Sequence, residues 1–328
     1  MTRAVVTGGC GFIGSHLVQY LAEQGHEVVV FDMAGPPPDQ RLGAGRVRHV
    51  AGDILDPAQV AAVITPDVEV VYHLASVVGV DQYLARPREV ITVTLGGTAN
   101  VLDAAGRAGA KVVLASTSEV YGKNEAVPWA EDADRVLGGT GTRRWTYSTS
   151  KALAEHLLYA YVQERRLRAS IVRYFNVYGP RQRPAYLVSR SVHRALRGLP
   201  PVVYDGGEQT RCFTYVADAV EATVLVASSE RAEGECFNIG SVDETSISKA
   251  VELVARLAEH GGPPREIDTE ERFADKYQDI PRRIPDVTKA REVLGWQSST
   301  SLDEGLAQTI AWARRNPWWL ELPERGAG

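Results

Sequence analysis

Tyr147 and Lys151 stand four residues apart in "WTYSTSKALAEHLL" (145–158), a stretch with a helical pattern. That spacing puts both side chains on one face of a helix. An ammonium beside a phenol favours phenolate and draws the tyrosine down from its ordinary pKa of about 10. A phenolate so placed can take a proton from a substrate hydroxyl while hydride leaves the same carbon. The pair alone is common on solvated helices, so it needs company. Upstream, "KVVLASTSEVYG" (111–122) is an apolar strand ending in Ser116, Thr117 and Ser118, with Glu119 directly after them. Small hydroxyls at a strand end need little explanation. A carboxylate there asks for a partner or a task.

A third constellation precedes both. "VVTGGCGFIGSHLVQYL" (5–21) sets Gly8, Gly9, Gly11 and Gly14 between a strand and an amphipathic helix. One glycine allows the tight turn, one lets backbone approach a pyrophosphate, and one lets helix pack on strand. The helix N-terminus then faces the phosphate charge. Asp32 closes the next strand, where a carboxylate can bind ribose hydroxyls, and no arginine follows it in "FDMAGPP" to accept a 2′-phosphate. The cofactor expected is NAD. Asp53 in "AGDILD" fits two uses equally, an adenine contact or the N-cap of a helix over 56–63.

These residues require positioning elements, and the chain supplies an alternation. Strands are expected at 3–8, 27–32, 47–53, 68–75, 110–116 and 168–175, with helices at 12–24, 56–63, 88–108 and 149–165. Near-continuous Val/Ile runs mark strands buried on both faces, and their alternation with helices implies a doubly wound parallel sheet. "AGPPPDQRLGAG" (34–45) is a Pro/Gly loop. After residue 178 loop signals crowd in. The division expected is a Rossmann-like NAD-binding domain over 1–178 and a smaller α/β substrate lobe over 179–328. A segment near 211–240, including a helix at 216–228, returns to the first domain. The tail "ELPERGAG" is expected to fray.

Composition narrows the class. Of 328 residues 44% are hydrophobic and 23% charged, enough to bury a sizeable core. The net charge of −5 and the lack of any like-charge block argue against a nucleic-acid partner; Arg-Arg at 143–144, 165–166 and 282–283 are only pairs. Cys10, Cys212 and Cys236 fit neither a disulfide framework nor a zinc motif, so no metal and a reducing, cytoplasmic compartment are expected. The first residues enter a strand pattern at once, leaving no room for a signal peptide, and no apolar run reaches the roughly 20 residues that span a bilayer. A soluble protein follows.

Taken together, "TGGCGFIGSHL", "VYHLAS", "GTANVLDAA", "STSEVYG", "YSTSKALAEHL", "RYFNVYGPRQ", "QTRCFTYVADAVEA", "FNIG" and "RIPDVTKAREVLGW" resemble the extended short-chain dehydrogenase/reductases that modify nucleotide sugars. The resemblance covers nearly the whole chain. It implies tightly held NAD that oxidises C4 of the sugar, chemistry at the 4-keto stage, and return of hydride. It makes Thr117 the hydroxyl that holds O4, Tyr147 the base and Lys151 its tuner. Cofactor contacts would extend to Phe12, Ile13, Asp53, Ile54, Leu74, Ala75 and Ser116, with Tyr174 and Phe175 as the nicotinamide wall. Ser118, Asn176, Arg181 and Arg211 would meet the substrate, Asn176 and Arg211 at its diphosphate. "STSEVYG", with Ser118-Glu119, looks most like UDP-glucuronic acid decarboxylases. "KYQDIPRRIPDVTKA" resembles their C-terminal segment, which places a catalytic arginine at Arg283. Tyr83 resembles a substrate-contacting tyrosine of the same enzymes, although the preceding "SVVGVDQY" lacks their proline-containing form. Glu119 or Arg283 would then serve protonation at C5 once CO2 leaves. The plainer reading makes Glu119 an N-cap, or a loop acid paired with an arginine. A nucleotide-sugar 4-epimerase, a dehydratase and a non-catalytic NAD-binding module are the other readings. The resemblance also implies a homodimer through helices near 90–108 and 149–165.

Overall fold

A computed structural model describes residues 2–40, 45–267 and 280–324. The first half of the chain forms β1 (Arg3–Thr7), α1 (Phe12–Glu23), β2 (Glu27–Asp32), β3 (Val47–Ala51), α2 (Pro57–Val63), β4 (Val70–His73), α3 (Val80–Ala85), α4 (Pro87–Ala108), β5 (Lys111–Thr117), α5 (Trp145–Arg165) and β6 (Ala169–Tyr174). Positions 41–44 of the expected loop and 325–328 of the tail lie outside the described residues. Helix α5 starts earlier than the spacing suggested. Its first residue, Trp145, is buried beside Val120, Tyr121, Trp129 and Phe175, and that packing draws the helix forward.

The second half adds β7 (Val177–Tyr178), α6 (Leu187–Leu196), β8 (Val202–Tyr204), β9 (Thr210–Cys212), β10 (Thr214–Tyr215), α7 (Val216–Ser228), β11 (Cys236–Ile239), β12 (Glu244–Ser246), α8 (Ile247–Leu257), β13 (Arg265–Ile267), β14 (Arg282–Arg283) and α9 (Leu302–Arg315). The main sheet runs β3-β2-β1-β4-β5-β6-β11 with every pair parallel. The protein thus has a Rossmann-like α/β fold. The chain leaves β1 toward β2 and resumes on its other side at β4, and ligands bind at the strand ends beside such a switch point. The seventh strand, β11, was absent from the sequence expectation, because four residues make too short a run to stand out.

Apolar residues on one face of the sheet, such as Val6, Val30 and Val113, join Leu17 and Val18 of α1 and Val220 of α7. That core runs on into Val251, Leu306 and Trp312 of the later elements. On the other face Val5, Val71 and Leu114 meet Leu102 of α4 and Leu158 of α5. Helix α7 lies against α1, β5 and β6, so this part of the chain does return to the first half. Among the later elements β9 pairs with β12 on one side and with β14 on the other.

A strap crosses between the two halves. After β2 the chain carries Asp39, whose Oδ2 accepts hydrogen bonds from Arg181 Nε (3.0 Å) and from Trp312 Nε1 (2.8 Å). Arg181 also donates to Gln19 Oε1 of α1 at 3.0 Å, and Gln40 Nε2 donates to Ser15 O at 3.0 Å. The loop that begins at Asp32 is therefore tied to α9, far along the chain.

Candidate active site

The glycine turn is built for a dinucleotide. Gly8 has φ +72°, and a Cβ there would lie 2.7 Å from Ala75 N; at Gly14 it would lie 2.2 Å from Gly8 O. Only glycine fits both places. The N-cap of α1 is Gly11, with no side-chain cap and no acid in the first turn. The amides of the first helical turn, at Phe12 and Ile13 among them, are thus left for an anion. Asp32 is held by Cys10 N (2.9 Å) and Ala34 N (2.9 Å), one on each oxygen, which leaves both oxygens further acceptor capacity for ribose hydroxyls. Beside it lies a cavity of about 230 Å³, lined by Cys10, Asp32, Met33, Ala34, His49 and Ala51 among others. These residues fit NAD, with adenosine at Asp32 and pyrophosphate at Gly11–Gly14.

Other expected cofactor positions fall nearby with differences. Leu74 N donates to Thr7 O (3.1 Å) and Ala75 N to Thr7 Oγ1 (3.3 Å), so both follow β4 closely along the glycine turn. Ile54 is buried under α4, where a Cβ on Gly97 would meet its Cδ1 at 2.2 Å; its side chain is core. The N-cap alternative for Asp53 is corrected: Asp56 caps α2 through Ala58 N and Gln59 N, while Asp53 Oδ1 accepts from Leu55 N at 2.9 Å.

The end of β5 forms the second part. Thr117 Oγ1 accepts from Glu119 N at 3.2 Å and caps a single tight turn, Ser118–Tyr121. Glu119 is not itself the N-cap. Its Oε2 pairs with Arg144, and its Oε1 receives Arg283 Nη1 at 2.6 Å. Arg283 also donates to Ser118 Oγ. Burial would raise the Glu119 carboxyl, but the Arg144 and Arg283 guanidiniums outweigh it, with help from Arg211, and bring it down to about 2. Backbone pairing delivers the arginines: Arg283 on β14 stands opposite Arg211 on β9. Trp129 N, donating to Ile284 O at 2.9 Å, ties the segment after Arg283 to the loop after β5.

Helix α5 brings the third part. Tyr147 is buried with Tyr83 and Val90, and Lys151 Nζ donates to Ala115 O at 3.0 Å. The expected lowering of the phenol is not seen. Burial raises Tyr147, with Tyr186 and Glu119 acting the same way, and burial lowers Lys151 to about 8 despite the opposing pull of Glu155. Desolvation acts on each charge separately and here exceeds the benefit of their shared helix face. His73, at the end of β4, is held neutral by burial and by Lys151, its ring nitrogens against Thr7 Oγ1 (2.7 Å) and Thr98 Oγ1 (3.2 Å).

One helical turn past Lys151, Glu155 accepts from Ser116 Oγ and from Arg173, whose Nη2 lies 2.6 Å away. Arg173 also donates to Tyr121 OH at 2.8 Å, and Tyr121 OH to Asn238 Oδ1 at 2.7 Å. Removing one partner of a buried ion pair costs about 3–5 kcal/mol, so this network fixes β5, β6 and α5 relative to one another. The strand-end hydroxyls and the Tyr147–Lys151 face share that one frame.

The remaining positions divide. Tyr174 ends β6 with its hydroxyl 2.7 Å from Thr223 Oγ1. Phe175 is fully buried against Tyr121 and Trp129, which rules out its expected place as a wall of the pocket. Asn176 Nδ2 donates to Cys212 O at 3.1 Å, and Arg211 Nη1 to Thr210 O at 2.8 Å. Arg181 is occupied by Asp39 and Gln19. The structure thus gathers Tyr83, Thr117, Ser118, Glu119, Tyr147, Arg211 and Arg283, and sets Arg181 in the strap. Arg144, Glu155 and Arg173 were missed. The available signals were an arginine directly before the Tyr147 helix and a lone charge inside the apolar run "ASIVRYF".

The model of the NAD dependent epimerase/dehydratase family matches residues 4–240. The chain is 39% identical to a UDP-N-acetyl-alpha-D-glucosaminuronate decarboxylase of Bacillus cytotoxicus, over 95% of this chain and 98% of that one. It is 35% identical to UDP-glucuronic acid decarboxylase 1 of Xenopus tropicalis, over 95% of this chain and 72% of the relative. The solved structure of MoeE5 with UDP-glucuronic acid and NAD superposes with a TM-score of 0.84 at 33% identity, covering 96% of this chain and 99% of the other.

Proposed function

The chain belongs to the NAD-dependent epimerase/dehydratase family, and from that premise we propose that it decarboxylates a UDP-linked hexuronic acid through a 4-keto sugar. The observation that carries this reading is Glu119, an ionised carboxylate between two buried arginines whose charge is felt at Tyr147. A 4-epimerase of a neutral sugar breaks no bond at C5 and has no use for such a charged cluster at that place. Relatives matched over 95% of this chain are named for decarboxylation of glucuronate and of its 2-acetamido counterpart.

When bound, NAD supplies a reversible two-electron acceptor for C4 of the sugar. Tyr147 takes the C4 hydroxyl proton, with Thr117 holding O4. Burial opposes a lone phenolate and a lone ammonium alike, whereas a phenolate beside an ammonium would bury no net charge. The resulting β-keto acid breaks its C5–C6 bond, releasing CO2 and leaving the electron pair in an enolate. Arginine guanidiniums stabilise that charge as it develops. A proton then enters at C5, with Arg283 and Ser118 orienting its donor, and C4 is reduced again.

Incubating the protein with UDP-glucuronate and with UDP-N-acetylglucosaminuronate and following product mass tests this reading. Loss of CO2 from either supports it. Unchanged mass with inverted C4 indicates an epimerase, loss of water a dehydratase, and inertness toward both excludes a UDP-uronate substrate. Free Cys212 and Cys236, both buried, suit a reducing compartment such as the cytoplasm. Among the described residues no helix is long and apolar enough to cross a membrane. A homodimer through α4 and α5 is part of the same reading. The two helices pack together and leave Ile91, Leu153 and Tyr159 at 43%, 49% and 37% exposed. Leu153→Asp is expected to convert a dimer to a monomer in size-exclusion chromatography with light scattering, and a wild-type monomer would contradict the assignment.

A further inference from the structure

The proposed reaction leaves one buried titratable group without a task. His73 closes β4 opposite Thr7 of β1 and is 2% exposed. Its ring stands between two hydroxyls, with Nδ1 2.7 Å from Thr7 Oγ1 and Nε2 3.2 Å from Thr98 Oγ1 of α4. Backbone groups close the chain at both ends: Ala75 N donates to Thr7 Oγ1 at 3.3 Å, and Thr98 Oγ1 donates to Thr94 O.

Those ends give the chain a direction. An amide can only donate, a carbonyl can only accept, and each hydroxyl has one hydrogen. Thr98 gives its hydrogen to Thr94 O, so it meets His73 with a lone pair, and Nε2 must carry the proton. Thr7 receives the Ala75 amide and has its own hydrogen left for Nδ1, which must be bare. Moving the proton to Nδ1 would set two hydrogens between Thr7 and the ring, and only lone pairs between Thr98 and the ring. Protonating both nitrogens would strand the Thr7 hydroxyl hydrogen, at a residue with 0% exposure. The neutral Nε2–H form satisfies every contact. Burial acts the same way and brings the imidazole down to about 3, helped by Lys151 on α5, the charged group among the described residues that bears on the ring.

The chain ends where the dinucleotide begins. Gly8 packs against Ala75 so closely that a Cβ on Gly8 would lie 2.7 Å from Ala75 N. Leu74 N, one residue earlier, donates to Thr7 O at 3.1 Å. The Ala75 amide thus borders the glycine turn, and its hold there depends on which way the Thr7 hydroxyl points. A bare Nδ1 sets that direction. The same neutrality keeps a second positive charge away from Lys151, whose ammonium burial already disfavours.

We propose that His73 is a positioning residue of the dinucleotide site: held as the Nε2–H imidazole, it orients the Thr7 hydroxyl and through it the Ala75 amide beside Gly8, and it adds no charge beside Lys151. The assignment holds whichever bond the enzyme breaks in its sugar.

Long-range proton–nitrogen magnetic resonance spectra of protein carrying isotopically labelled histidine test the tautomer directly. The signal absent from His73→Asn is expected to show the Nε2–H pattern, unchanged from about pH 5.5 to 9. An Nδ1–H or imidazolium pattern in that range overturns the proposal. Bound NAD reports the consequence, read as nicotinamide per protein and as exchange for labelled NAD. Thr7→Val is expected to speed NAD loss about tenfold or more, and Thr7→Ser, which keeps the hydroxyl, to restore it. His73→Asn keeps an acceptor facing Thr7 and His73→Leu does not, so the leucine variant should lose NAD faster although it fills the space better. Equal rates in these two, or wild-type exchange in Thr7→Val, overturn the proposal as well. If a variant does not fold, the remaining pair and the wild-type spectra, assigned from the signals displaced in Thr7→Ser, decide.

Discussion

Glu119 has the wrong ionisation state for a proton donor. Its arginines hold the carboxyl at about 2, so it remains a carboxylate through the physiological range. A depressed carboxyl contributes stability that is fully present above its ordinary pKa and is lost as pH falls through about 2. In the proposed reaction its work is therefore to hold charge and orient Arg283. Glu119→Gln is expected to keep nicotinamide reduction on mixing with uronate while CO2 release falls about 10²-fold or more. Tyr147→Phe should lose both and keep NAD bound. Absorbance of the reduced nicotinamide and trapped CO2 distinguish the two. Lys151 sets the alkaline limit: lowered to about 8 by burial, it loses its proton as pH rises through that value, and turnover should fall there in a pH–rate profile. The stability effect has the opposite sign. Burying the ammonium costs folding energy below about 8, and the cost is relieved as pH climbs from 8 toward the ordinary lysine value of 10.5. At this scale the sequence was legible where spacing carries the meaning, as with Tyr147 and Lys151. It was not legible at Arg144, since two adjacent arginines look alike whether solvated or buried.

Elements tell a similar story. The strands β1, β2, β4, β5 and β6 were readable because their Val/Ile runs are buried on both faces, and α1 because its glycines mark its start. Gly14 is the sharpest case. A Cβ there would overlap Gly8 O, so Gly14→Ala is expected to purify with little or no NAD, read as nicotinamide per protein. Wild-type NAD content in a folded Gly14→Ala protein would contradict the turn's role as the pyrophosphate cradle. The short strands resisted prediction. β9 and β14 have three and two residues, too few for any periodicity, yet their pairing sets Arg211 beside Arg283. Long-range register of that kind leaves no local trace.

Across the whole molecule, the two halves share one continuous apolar core. The arginines of the later elements reach the strand end of the earlier ones, so the site is a property of the assembled chain and of neither half alone. The same is true of the strap. Asp39 joins the loop lining the adenosine cavity to Arg181 and to Trp312 on α9. A catalyst that oxidises and then re-reduces the same sugar has no need to trade its dinucleotide with the surrounding pool. Tying the cover of the adenosine end to a distant helix makes departure of the dinucleotide wait on a rupture between halves. Residence time is thereby set by mechanical attachment as well as by affinity. Asp39→Asn is expected to shorten it, seen as faster exchange of bound NAD for isotopically labelled NAD at unchanged rates of a single turnover. An unaltered exchange rate would show that the strap fastens the halves without timing the cofactor's stay.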